Sequence, residues 1–173
     1  MSEGVGIHVL HVDDQSDLAE VTAEMLERED ERFAVETAAS ASEGLAQLSE
    51  TEYDCLISDY EMPGQNGIEF LEAVREDYPD LPFILYTGKG SEEIASDAIS
   101  AGVTDYLQKA AGTSEYTVLA NRVRNAVEKY RAQTELADSQ KRLNLFFEQS
   151  PLGVIEWDEN FDVVRLNDAA EDL

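Results

Sequence analysis

One cysteine, four lysines, four prolines and one tryptophan stand in 173 residues, and each scarcity removes a class of protein. The lone thiol, Cys55, excludes a disulfide framework, and its place inside an apolar run predicts a buried small hydrophobe rather than a reactive nucleophile. Lys and Arg total 12 against 38 Asp and Glu, a formal net charge of -26. A field of that sign repels phosphate backbones, so direct nucleic-acid binding is disfavoured. No apolar run approaches the roughly 20 residues that a membrane helix requires, and no basic segment followed by an apolar stretch opens the chain. The expectation is a cytoplasmic protein without a membrane segment.

What is present suffices for a packed core, since 43% of the residues are hydrophobic. Apolar runs at 7–12, 33–38, 54–58, 82–87 and 104–107 read as strands and alternate with helical patterns near 16–29, 41–50, 66–77, 91–101 and from 114 onward. Five such β-α units imply an α/β fold with a parallel sheet covered on both faces. The first helix places Leu18, Val21, Met25 and Leu26 on one side and Glu20, Glu24, Glu27 and Glu29 on the other. Ala101-Gly102 supplies a glycine suited to a left-handed cap after the fourth helix.

Chemistry gathers at the strand ends. Asp13 and Asp14 close the first run, Asp59 the third and Thr87-Gly88 the fourth, while Lys109 follows the fifth. Parallel strands would bring these carboxyl ends to one sheet edge, where open α/β folds place their ligands. Crowded carboxylates either hold protons or recruit a divalent cation, and hard oxygen donors without Cys or His at ligand spacing suit Mg²⁺. Asp13 and Asp14 could instead cap the first helix, and Asp59, Thr87 and Lys109 taken singly could be ordinary loop, strand and surface residues. His8 and His11 lie on a strand and read as structural.

Together with Asp59-Tyr60-Glu61-Met62-Pro63-Gly64 and Asn66-Gly67, these positions resemble the receiver domain of two-component response regulators over about residues 5–126. The resemblance implies a flavodoxin-like, doubly wound five-stranded sheet of order 2-1-3-4-5. It makes Asp59 the phosphoacceptor from a histidine kinase or phosphotransfer protein. Asp14 would bind Mg²⁺ directly, Asp13 through water, and the Glu61 main-chain carbonyl would complete the protein ligands. Thr87 would reach a phosphoryl oxygen, and Tyr106 would be the aromatic switch that fills the space Thr87 leaves. Glu61 and Lys89 would flank the site and tune loss of the phosphoryl group by pairing. One departure stands out: receivers commonly place proline after the lysine, whereas this chain has Lys109-Ala110-Ala111-Gly112.

Along the last helix, Leu119, Val123, Ala126 and Tyr130 recur at spacings of 4, 3 and 4, a narrow stripe that reads either as a coiled-coil-like seam or, over its first half, as the helix packing on its own sheet. The expected organisation is a receiver at 1–126, a linker helix at 127–148 that could support a homodimer with the fifth helix, and a partial α+β segment at 149–173. Within that segment, strands are expected at 153–157 and 161–166, and the stretch from Leu145-Phe146-Phe147 to Asn167-Asp168-Ala169-Ala170 resembles the start of a PAS sensor domain. Such a hairpin has little to bury against, so the chain reads as a piece of a longer protein. No phosphorylatable helix histidine, nucleotide-binding glycine motif or basic reading helix occurs in it. The whole protein could be a hybrid histidine kinase with an N-terminal receiver, or a non-catalytic adaptor with a PAS output. A Mg²⁺-dependent phosphohydrolase with Asp59 as nucleophile is disfavoured, because no substrate-cap insertion follows.

The acids are spread along the whole chain, a composition of the haloarchaeal type, in which salt screens self-repulsion. The thermal midpoint is therefore expected to rise by several degrees between dilute buffer and molar KCl. Identical melting curves in the two would refute a salt-adapted surface.

Overall fold

The computed structural model describes residues 5–171, which divide into two compact units between Tyr130 and Arg131. In the first, strands β1 (Ile7–Val12), β2 (Phe33–Ala38), β3 (Cys55–Ser58), β4 (Phe83–Thr87) and β5 (Asp105–Gln108) alternate with helices α1 (Ser16–Glu29), α2 (Ala41–Glu50), α3 (Gly67–Asp77), α4 (Glu92–Ser100) and the first part of α5 (Ser114–Gln149). The sheet order is β2-β1-β3-β4-β5 and every pair is parallel. The fold is thus the doubly wound, flavodoxin-like arrangement expected from the sequence. Strand order reverses beside β1, so the crevice beyond β1 and β3 is the topological switch point.

Burial explains the strand sequences. β3 and β4 are buried throughout, as are all residues of β1 except His8, which is why their apolar runs barely alternate. One face packs Leu10, Val12, Leu56, Phe83 and Leu85 against Phe70, Leu71 and Val74 of α3. The other packs Ile7, Val9, Ile57, Ile84 and Tyr86 against Leu26 of α1 and Leu119, Val123 and Val127 of α5. Each large side chain so buried contributes about 1.5–3 kcal/mol. Side-chain oxygens cap three helices: Ser40 accepts from Glu43, Ser91 from Ile94, and Asn66 forms a capping box with Glu69. Gly102 takes the left-handed conformation (φ 89°) after α4.

Two helix faces refine the sequence reading. On α1 the buried residues are Ala19, Thr22, Ala23 and Leu26, while Leu18 and Val21 are 45% and 48% exposed. Small side chains let this helix lie close to the sheet, so the larger aliphatics fall at the margin of the contact. On α5 the buried positions are Leu119, Ala120, Val123 and Val127, with Ala126 and Tyr130 only half-buried. The first half of the stripe thus packs on the helix's own sheet, one of the two readings its spacing allowed. Asp13 and Asp14 do not cap α1: its N-cap is Gln15, without a side-chain cap, and the Gln15 N–H donates to Asp13 at 2.9 Å.

In the second unit, β6 (Ile155–Trp157) pairs antiparallel with β7 (Val163–Leu166), followed by the short α6 (Asp168–Glu171). Asn167, fully buried, joins its parts: the amide donates to the Phe147 and Leu152 carbonyls, each at 2.9 Å, and the side-chain oxygen accepts from Val154 and Ala170. Arg165 reaches Asn144 and Glu148 and lies over the Phe147 ring. Ile155, Trp157, Val163 and Val164 are exposed, as a lone hairpin requires.

Asp30, just beyond α1, accepts a two-pronged contact from Arg32 (3.0 and 2.7 Å) and a third bond from Arg124 of α5 at 3.1 Å. Arg32 above all holds its carboxyl below the usual carboxylate range. The stability this supplies is full above the unfolded-state pKa near 3.8 and is lost as pH falls through the depressed folded value. Asp30→Asn should therefore lower the thermal midpoint by a few degrees at pH 7, with the gap to wild type narrowing as pH drops below 4. A gap independent of pH would contradict this.

Candidate functional site

The acids sit where the sheet's hydrogen bonding runs one residue past the strands. Asp13 N–H donates to the Ala38 carbonyl at 3.0 Å, Asp59 N–H to Val12 at 2.9 Å and Lys109 N–H to Thr87 at 2.8 Å. These bonds fix the loop starts after β1, β3 and β5 on one edge. Asp13 is 1% and Asp59 6% exposed, while Asp14 is open to solvent. One carboxylate oxygen from each of the three comes within 4.8 Å of the others.

Each buried acid has one oxygen occupied locally. Asp13 Oδ1 accepts from Gln15 N–H, and Asp59 Oδ1 accepts from Tyr60 N–H at 2.7 Å. The remaining oxygens face Lys109, whose Nζ lies 3.1 Å from Asp13 Oδ2 and 3.5 Å from Asp59 Oδ2. One ammonium against three carboxylates leaves net negative charge at a wet edge. That surplus, made of hard oxygen donors, fits Mg²⁺.

Around this centre, Thr87 is buried and its Oγ1 accepts from Lys89 N–H at 3.3 Å. Lys89 Nζ bonds Glu61 at 2.7 Å, so the two flanking residues form an exposed ion pair. Gly88 leaves room: a Cβ there would meet nothing closer than Lys109 Cδ at 4.0 Å. Gly67 is the opposite case, since a Cβ would lie 2.3 Å from the Asp59 carbonyl oxygen. Only glycine lets α3 begin directly against the Asp59 loop. Tyr106 packs against the α3 side of the core, and its buried hydroxyl has no hydrogen-bond partner among the described residues. Gly90 closes over it, because a Cβ at that position would stand 2.8 Å from the hydroxyl oxygen.

Of the residues singled out in the sequence, Asp13, Asp14, Asp59, Glu61, Thr87, Lys89 and Lys109 lie on this edge, and Tyr106 packs behind it. Three others were not singled out for this site. Tyr86 was hidden in an apolar strand; Lys109 Nζ sits 5.3 Å from its ring centroid, and its hydroxyl donates to Glu115 at 2.8 Å. Glu115 gave no signal beyond being an acid in a helix's first turn. His11 is fully buried on β1, two residues before Asp13. Burial lowers its pKa to about 4 against the opposing pull of Asp13, so the ring is neutral near pH 7.

Comparison with known proteins addresses the same span. The response regulator receiver domain family matches residues 9–124. The chain belongs to that family. An NtrX-like response regulator of Rickettsia bellii is 33% identical over 118 residues, 67% of this chain and 24% of the relative. The chain thus spans about a quarter of that protein's length. A receiver domain protein of Clostridium thermocellum has a TM-score of 0.66 at 27% identity, covering 73% of this chain and 98% of its own. The TrrA response regulator of Thermotoga maritima, solved in complex with Mg²⁺ and BeF, has a TM-score of 0.59 at 28% identity over 68% of this chain and 98% of its own. This receiver therefore shares with solved receivers both its topology and a recognisable fraction of its sequence.

Proposed function

We propose that this receiver accepts a phosphoryl group on Asp59 from the phosphohistidine of a histidine kinase or phosphotransfer protein. The observation that carries the reading is the bridging of Asp13 and Asp59 by Lys109 at the switch point of the sheet. A carboxylate oxygen of Asp59 attacks phosphorus, the P–N bond breaks with its electron pair left on the donor nitrogen, and the ring gains a proton from solvent. The product is an aspartyl phosphate. Asp13, Asp14, Asp59 and the Glu61 main-chain carbonyl would hold Mg²⁺, which when bound offsets charge on the transferring oxygens. Lys109 presents a second positive charge to the same oxygens, and no nucleotide-binding element is required.

The readout follows from space and hydrogen bonding. The Thr87 hydroxyl turns to a phosphoryl oxygen, and Tyr106 moves into the volume vacated. Repacking there alters the surface of α4, β5 and α5, and α5 runs on as one helix from Ser114 to Gln149. The organisation proposed is a receiver at 1–126, a linker at 127–148 able to support dimerisation, and the start of a PAS-type output at 149–173. Support for the last comes from the Asn167 network, which joins the end of α5 to the hairpin.

Two measurements test this. Incubation with Mg²⁺ and acetyl phosphate or phosphoramidate in high salt should add the mass of one phosphoryl group to wild type and none to Asp59→Asn. An unmodified wild type would overturn the assignment of Asp59. The Glu61-Lys89 pair lies across the approach of water, so the Glu61→Ala, Lys89→Ala double variant should lose the group several-fold faster. An unchanged lifetime would remove the pair from the mechanism.

A further inference from the structure

The peptide between Lys109 and Ala110 is trans, as are all described peptide bonds, and Ala110, unlike proline, keeps a main-chain N–H. That N–H donates to Glu115 Oε2 at 2.7 Å. The other oxygen of the same carboxylate, Oε1, accepts the Tyr86 hydroxyl at 2.8 Å. Tyr86 is buried, and burial and then Glu115 push its phenol pKa upward, so the hydroxyl stays protonated and can donate. Its ring faces the Lys109 ammonium. The Lys109 N–H is itself held by the Thr87 carbonyl at 2.8 Å. Lys109 is thus anchored through its own main-chain N–H, through the next one in the chain, and along its side chain by an aromatic ring whose far end is tied to the same acid.

We infer that Glu115 is a positioning residue for Lys109: by clamping the Ala110 N–H and the Tyr86 hydroxyl with one carboxylate, it aims the ammonium at an anion carried on Asp59. Hydrogen bonds accepted by an ionised carboxylate are about twice as strong as neutral ones, and small errors of placement are costly in a site that works by orientation. Glu115 lies in the first turn of α5, so the clamp also ties the lysine loop directly to that helix. A displacement of Lys109 toward a phosphoryl group would pull on the start of α5 by a route separate from Thr87 and Tyr106.

This inference rests on the reading of Asp59 as phosphoacceptor, and the test separates the two. Calorimetry on the full 173-residue chain measures Mg²⁺ binding, then beryllofluoride binding in saturating Mg²⁺. The proteins are wild type, Glu115→Ala, Glu115→Gln, Ala110→Pro and the Glu115→Ala, Ala110→Pro double variant. Glu115→Ala should weaken beryllofluoride binding about tenfold, as loss of a charge-assisted hydrogen bond predicts, with Mg²⁺ affinity within about twofold because the carboxylate ligands are untouched. Glu115→Gln, which keeps one acceptor oxygen, should fall between. In the Ala110→Pro background the N–H is already gone, so removing Glu115 should cost only about two- to threefold. Equal losses of Mg²⁺ and beryllofluoride affinity would show a merely structural residue and overturn the inference. Full additivity of the two substitutions, or no change in beryllofluoride binding, would do the same. A wild type that binds Mg²⁺ but no beryllofluoride would overturn the acceptor assignment and the clamp with it.

Discussion

Three carboxylates held at one end of a parallel sheet repel one another, and the site is organised around that repulsion. At separations under 5 Å and an effective dielectric of about 20, each pair costs roughly 3 kcal/mol or more. The sheet imposes the proximity, because Asp13 and Asp59 continue the hydrogen bonding of adjacent strands and cannot move apart without breaking it. Lys109 offsets part of the strain, and what remains is attraction for a divalent cation or a cationic group. The result is a negative centre of hard oxygen donors inside an already acidic protein.

A buried hydroxyl without a partner costs about 1–3 kcal/mol, and the Tyr106 hydroxyl has none among the described residues, so packing against the core holds the ring in place. Thr87 lies on the strand next to Tyr106, and the paired register Leu85 to Tyr106 and Thr87 to Gln108 keeps the two within reach of one another's space. The Glu61-Lys89 pair is exposed and readily screened by salt, so it contributes little to stability.

Much of this was legible beforehand, for identifiable reasons. Strands buried on both faces have near-continuous apolar sequences, so β1, β3 and β4 declare themselves, and acids placed directly after β1 and β3 mark the ligand edge. Leu18 and Val21 misled because hydrophobic periodicity shows which residues share a side of a helix, not how closely that helix approaches the sheet. Alanines, nearly silent in a periodicity reading, form much of the α1 contact. On α5, Ala120 and Val127 complete a row that belongs to the receiver core, which the 4-3-4 spacing alone could not tell from a seam.

The chain alone therefore determined the order of elements and the identities of Asp13, Asp14, Asp59, Thr87 and Lys109, because local hydrophobic pattern and residue chemistry are written position by position. Tertiary structure alone decided that Glu115 meets both Tyr86 and Ala110, that Gly67 leaves no room for a Cβ beside the Asp59 carbonyl, and that His11 is fully buried. Those relations join residues far apart in the chain or on different elements. They depend on strand register and helix height, which are set only when both faces of the sheet pack at once.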